Sequence, residues 1–246
     1  MKIVSVRFEE HVSFEDAKNA TSGYNDNLLI ESMPNYKHSA CINHGSSQDE
    51  NTSNISGMAA FLSAASYYEN NEFDVVDIGG STGGHYALFK QLYRGSAKFR
   101  WHIVETSVQV NYGKKFIADP DLFFYEDISE INTGKINILH FGGVLGYLPD
   151  PIGYMDNPQV RKSDFIIFNR TSLVNGNSNK NFAQFVNYDK GVVSYAGRAF
   201  GMNLLHEIIE RTHKVEINWT NHHEVFRLGS ETLCIGSGML CRRKGL

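Results

Sequence analysis

The segment Phe73-Asp74-Val75-Val76-Asp77-Ile78-Gly79-Gly80-Ser81-Thr82-Gly83-Gly84 constrains this chain more than any other. An apolar run carries an acid near its end, and a glycine-dense turn follows at once. Beyond the turn, Tyr86, Leu88, Phe89, Leu92 and Tyr93 recur at the spacing of one helical face. Strand, glycine-rich turn, helix is the order that opens nucleotide-binding α/β units, in which a ligand sits at the carboxyl end of the first strand. Glycine lets the backbone approach that ligand with no Cβ in the way.

The spacing of the turn narrows the ligand. A dinucleotide fingerprint places glycine at the first, third and sixth positions, but the third position from Gly79 is Ser81. A phosphate-cradling P-loop needs a lysine after its second glycine, and here His85-Tyr86 follows Gly84. What stands is an acid followed by Gly-x-x-x-Gly. A second acid, Glu105, ends the apolar segment 99–104 one βα unit later, where a bound ribose wants an acceptor for its hydroxyls. A third segment, 122–125, runs into Glu126-Asp127.

The same rhythm continues through segments 136–141 and 164–168, an amphipathic helix at 201–212, and closing segments at 214–219 and 238–241. Alternating elements of this kind predict a mostly parallel sheet, here of seven strands, with helices on both faces. At 246 residues the chain is long enough for one such unit with a large core. Residues 1–57 precede the first expected strand. Ser13-Phe14-Glu15-Asp16 reads as a capped helix start, 39–56 as a loop rich in Ser, Asn and Gly, and 58–68 as a helix. The expected organisation is an N-terminal helical cap or lid over 1–57 and one globular ligand-binding unit over 58–246.

These motifs resemble motif I and its successors in the class I S-adenosylmethionine-dependent methyltransferases. Within that superfamily the chain is similar to a family of bacterial methyltransferases from surface-polysaccharide (capsule or lipopolysaccharide) gene clusters. The likeness rests on Ser13-Phe14-Glu15-Asp16-Ala17, Ser22-Gly23-Tyr24, Asp77 to Gly83, Trp101-His102-Ile103-Val104-Glu105, Val144 to Pro151 and Asn169-Arg170-Thr171. It covers about two thirds of the chain. The resemblance implies a Rossmann-like fold whose last strand runs antiparallel, with S-adenosylmethionine as cofactor and S-adenosylhomocysteine as product. It also implies that Gly79, Gly80, Ser81 and Gly83 lie against the methionine part of the cofactor and that Asp77 organises the turn. Glu105 would then take the ribose hydroxyls and Asp127 the adenine amino group, with Tyr24 a lid contact. The family usually has a small hydroxyl residue where His85 stands, so any role of His85 is particular to this chain. Related capsule enzymes O-methylate sugars, which points to a hydroxyl of a sugar or nucleotide-activated sugar, such as a heptose, as acceptor.

Methyl transfer to a hydroxyl is helped by a general base, and histidine titrates in the useful range. Because ligands bind beyond the carboxyl ends of parallel strands, His222 and His223, expected in a loop after the sixth strand, rank first, and His85 at the start of the first helix follows. His140 lies inside its strand and reads as a buried, hydrogen-bonded histidine. Arg170, expected just past the fifth strand, offers a planar fork to a phosphate of the acceptor. No metal is expected: Asp150, Asp156 and Asn157 lie near one another in sequence, but Pro149-Asp150-Pro151 reads as a turn.

A net charge of −4 and a pI near 6.2 argue against a nucleic-acid partner. No stretch approaches a membrane span, and the start of the chain lacks the apolar core of a signal peptide. Cys41, Cys234 and Cys241 have neither metal nor disulfide spacing. A small-molecule acceptor and a cytoplasmic location are therefore expected. Two alternatives are an N- or carboxyl-methyltransferase and a non-catalytic scaffold. Against the first, the Asn/Asp-Pro-Pro-aromatic motif of many amino methyltransferases is absent where Phe141-Gly142-Gly143-Val144 stands; against the second, Asp77, Gly79, Gly83, Glu105 and Asp127 are all in place.

Overall fold

The structure is a computed structural model that describes residues 3–23, 48–69, 71–230 and 232–246, and the side chains of all of these except 48–54, 222 and 223. Every residue of Phe73–Ile78 is buried, as a parallel strand covered on both faces must be. In chain order the strands and helices are β1 (Ile3–His11), α1 (Phe14–Asn19), α2 (Gln48–Ala65), β2 (Phe73–Ile78) and α3 (Gly84–Leu92). There follow β3 (Phe99–Val104), α4 (Ser107–Phe116), β4 (Leu122–Tyr125), β5 (Ile138–Gly142), α5 (Pro151–Asp156) and α6 (Pro158–Arg161). The chain closes with β6 (Phe165–Val174), β7 (Lys180–Tyr188), β8 (Gly191–Gly201), α7 (Met202–Glu210), β9 (His213–Leu228) and β10 (Thr232–Arg243).

Strands β4-β3-β2-β5-β6 lie side by side and parallel. Beyond β6, β10 pairs antiparallel, and β9 pairs antiparallel to β10. Alternate residues of each strand serve opposite faces. Val75, Trp101 and Ile138 join Phe61 of α2 and Phe89 of α3 in one cluster, while Val76, Leu139 and Cys241 join Met155 of α5 and Leu205 and Ile209 of α7 in the other. The fold is thus an α/β sandwich on a mixed sheet, and all five parallel strands aim their carboxyl ends at one rim.

Three features correct the sequence expectations. The sheet has ten described strands rather than seven, because β1, β7 and β8 form an antiparallel extension that meets β6 at Leu173↔Phe200 and Val174↔Gly201. Strands β7 and β8 form a hairpin around Asp189-Lys190, the two-residue connection that matches strand twist. In the N-terminal segment, residues 3–11 form a strand of the sheet rather than part of a helical cap, followed by the six-residue α1 and, from Gln48, by α2. The strand's apolar and β-branched residues Ile3, Val4, Val6 and Phe8 suit a sheet edge. Ser13 does cap α1: its Oγ accepts from the Asp16 amide at 3.0 Å, and Asp16 returns a bond to the Ser13 amide at 3.2 Å. Finally, residues 48–56, read as loop, form the first half of α2; tertiary context overrides their weak helix propensity. No helix among the described residues is long and apolar enough to cross a membrane.

Candidate cofactor and acceptor site

At the carboxyl end of β2 the chain turns sharply. Gly79 has φ +70°, and a Cβ there would lie 2.6 Å from the Val144 side chain in the loop after β5. A Cβ on Gly80 would lie 2.8 Å from the Asp77 carboxylate. The turn is therefore pressed between its own acid and the neighbouring loop, and only glycine fits at both positions. Ser81 also has a positive φ, +50°, which tightens the turn before Gly83 leads into α3.

Asp77 is fully buried beneath this turn. One carboxylate oxygen faces Nδ1 of His140 at 2.7 Å, the other Nδ1 of His85 at 3.2 Å. Burial alone would raise the Asp77 pKa, but the two imidazoles hold it well below the usual carboxylate range. Burial pushes His140 the other way, below the ordinary histidine value. The consistent assignment is an ionised Asp77 accepting from two Nδ1–H imidazoles. These three side chains have metal-ligating chemistry, with one ligand-type atom from each lying within 4.8 Å of the others. The hydrogen bonds to Asp77 account for that cluster.

Glu105, just beyond β3, accepts from the Ser81 amide at 3.2 Å and the Thr106 amide at 2.8 Å. It thus ties the second strand end to the glycine turn, and burial raises its pKa. Asp127, just beyond β4, is exposed and caps the following helical turn through the Ser129 amide at 2.8 Å, which draws its pKa down. A cavity of about 480 Å3 opens along these strand ends, lined by Gly79, Glu105, Asp127, Gly143, Tyr147 and Tyr154 among others. Gly79, Glu105 and Asp127, singled out in the sequence, meet in one cleft.

The other expected residues lie around it or apart from it. Tyr24 lies outside the described residues. His85 sits in the first turn of α3, partly exposed, on Asp77. His222 and His223 are not in a loop: β9 runs on through them to Leu228, because β10 is long enough to pair with it on both sides of them. They fall in a bulge, since Asn221 pairs with Gly236 and Val225 with Ile235, leaving 222–224 without ladder partners. Arg170 does not follow its strand but lies within β6, with φ +58° and an ion pair to Glu224. His140 is buried and hydrogen-bonded inside its strand, as the sequence reading has it; its partner, Asp77, stands beside it in the β2–β5 register, a pairing visible only once the strands are ordered. The sequence reading missed Glu224, which carried no motif at all.

No family model matches the chain, and no curated protein does. Among solved structures, the N-terminal domain of EvdMO1 with SAH bound aligns over 94% of both chains at 11% identity and a TM-score of 0.50. The same domain in the presence of SAH and D-fucose aligns over 94% of both chains at 13% identity and the same score. Magnesium protoporphyrin IX methyltransferase (ChlM) from Synechocystis PCC 6803, with bound SAM, aligns over 93% of this chain and 99% of its own at 9% identity and a TM-score of 0.51. These similarities, together with the strand order and the glycine turn at the first strand end, show that the chain has the Rossmann-like α/β fold of the class I S-adenosylmethionine-dependent methyltransferases.

Proposed function

We propose that the protein is an S-adenosylmethionine-dependent methyltransferase that methylates a hydroxyl of a sugar or nucleotide-activated sugar, in the assembly of a bacterial surface polysaccharide. The observation that carries the reading is the convergence of Gly79, Glu105 and Asp127 on one cavity of about 480 Å3, a size suited to a small-molecule cofactor. EvdMO1 and ChlM, which share the fold, were solved with SAH or SAM bound.

The residues present fit that cofactor. The turn offers backbone close to a ligand, and Glu105 offers an acceptor for ribose hydroxyls that is already desolvated. Asp127 stands at the third strand end, open for an amino group. When bound, S-adenosylmethionine supplies an activated methyl group on a sulfonium sulfur. The chain's own task is to orient the acceptor, exclude water and receive the acceptor's proton. In this reading a rim histidine receives it: His222 or His223 in the β9 bulge, or His85, whose ring is steadied by Asp77. In this reading residues 58–246 carry the transferring unit. The cytoplasm suits the buried free thiols of Cys234 and Cys241.

Titration calorimetry tests the cofactor. S-adenosylhomocysteine should bind and NAD should not, and Glu105→Ala should weaken binding by about 1–3 kcal/mol, the cost of losing a charged hydrogen-bond acceptor. Binding of NAD with indifference to S-adenosylhomocysteine would sink the proposal.

A further inference from the structure

Two backbone irregularities lie at the same level of the sheet, one on either side of β10. In the β6–β10 ladder, Phe168 pairs with Met239 and Thr171 with Ser237, so Asn169 and Arg170 together face Gly238. In the β9–β10 ladder, residues 222–224 are extruded between the pairs of Gly236 and Ile235. Arg170 takes a left-handed backbone conformation, φ +58°, which costs energy in a residue with a side chain and persists only where its surroundings demand it. Bulges re-aim side chains, and here they aim two at each other across β10: Arg170 Nε bonds to Glu224 Oε1. Both remain accessible, with side-chain exposures of 50% and 20%.

The pair borders the cleft. The space above Gly143, a cavity-lining residue, is flanked by the Arg170 side chain at 3.6–3.9 Å. Tyr147, also in the cavity wall, and Tyr195 both sense the Arg170 charge, and their rings stand edge to face at 5.4 Å. The Tyr147 hydroxyl is held by Gln184 of β7 at 2.7 Å. The result is a partly open recess with aromatic walls and, at its edge, a charge-balanced fork of donors and acceptors.

We infer that the Arg170–Glu224 pair is the recognition site for the acceptor, and that the acceptor group it holds is an uncharged pair of adjacent hydroxyls on a sugar ring. Arg170 donates to one hydroxyl and Glu224 accepts from the other, while the tyrosine rings cover the ring's C–H face. A phosphate does not suit the recess, because Glu224 already occupies the guanidinium and sets a negative charge where the anion would have to sit. This replaces the expectation that Arg170 grips a phosphate. The inference rests on the proposed methyltransferase reading, and it narrows the acceptor to a neutral sugar face even when a nucleotide is attached elsewhere.

Glu224→Gln separates the possibilities, since it keeps the shape and removes the charge. The probes are a panel of methyl glycosides of hexoses and heptoses, assayed by transfer of labelled methyl, and UDP titrated into the protein saturated with S-adenosylhomocysteine. For the glycosides that are methylated, Glu224→Gln should raise KM roughly 10–100-fold, the loss of one charged hydrogen-bond partner, with kcat falling far less and with unchanged S-adenosylhomocysteine affinity. Arg170→Lys should do likewise, because an ammonium cannot reproduce the fork. UDP should bind Glu224→Gln at least about 10-fold better than the wild type, because the negative charge that opposes an anion beside Arg170 is removed. Wild-type binding of UDP that Arg170→Lys weakens would overturn the assignment. So would an unchanged KM in Glu224→Gln variants that melt like the wild type, since a merely structural ion pair predicts that result. Methylation of no neutral glycoside, with S-adenosylhomocysteine still bound, overturns this inference alone; failure to bind S-adenosylhomocysteine overturns the reading beneath it.

Discussion

Glu105 couples the second strand end to the turn after the first, so its protonation state bears on both. Its carboxyl titrates above the ordinary glutamate value because it is buried. Protonation removes the acceptor that a ribose hydroxyl needs, so S-adenosylhomocysteine affinity should decline on acidification at a higher pH than an ordinary glutamate would impose. Calorimetry on acidification from neutral pH should show that decline in the wild type and a flat profile in Glu105→Gln. Among the histidines, alanine at the true base should lower kcat roughly 10²–10⁴-fold with cofactor affinity nearly intact. Near-wild-type kcat in His85→Ala, His222→Ala and His223→Ala alike would remove histidine from the proton transfer. Asp77, Glu105 and Asp127 were legible in the sequence because each closes an apolar run, and strand ends on a parallel sheet share one rim. His140 was legible as a buried, hydrogen-bonded histidine but its partner was not, and Glu224 was not legible at all, because both pairings come from the neighbour that strand register assigns them. A bulge such as 222–224 arises from pairing between strands and leaves no mark in its own residues.

At the scale of elements, the antiparallel extension stands apart from the five parallel strands that carry the acids. Strand β1 is fastened to it by backbone pairing with β7 and by Phe8, whose ring stacks on Phe226 at 4.0 Å and meets Phe182 edge-on at 5.5 Å. Phe8→Ala should cost about 2–4 kcal/mol, near the low end for a large aromatic because Phe8 is only partly buried. S-adenosylhomocysteine affinity should stay close to wild type, since Phe8 and the rings it packs on, Phe182 and Phe226, lie outside the cavity lining. Chemical denaturation and calorimetry on the same variant check both halves; equal losses in stability and affinity would show that the extension and the cofactor cleft are one cooperative unit. The parallel core was readable because each strand is a short apolar run punctuated by a turn. Strands β1, β7 and β8 escaped notice because none is a short apolar run: β1 has no buried residue, β7 mixes buried with half-buried positions, and half-buried Tyr195 and Arg198 interrupt the buried residues of β8.

For the molecule as a whole, buried histidines set the response to acid. His140 and His213 are fully buried, and burial holds both pKa values below 6.5. His213 donates from Nε2 to the Ser163 carbonyl at 3.0 Å, which favours keeping it in place but does not offset its desolvation. The unfolded chain therefore takes up protons that the folded one refuses, and stability present above pH 6.5 drains away as pH falls below it. Asp77, held below its ordinary value, adds a further loss only in strong acid, below about pH 4. The melting temperature should drop between pH 7 and 5, and His213→Gln should flatten that drop; an unchanged slope would mean that His213 is charged in the folded state. The pairing of β1 with β7 also fixes a timetable. Ile3 to His11 must wait for Tyr188 to Asn181, which at about 5–20 residues per second of synthesis is a delay of roughly 9–37 s. Strands β2 to β4, which carry or precede Asp77, Glu105 and Asp127, emerge long before then, while the strand that β1 must pair with does not yet exist. Throughout that interval β1 presents Ile3, Val4, Val6 and Phe8 on an unpaired strand, and it is during translation that this protein is most exposed to misassembly.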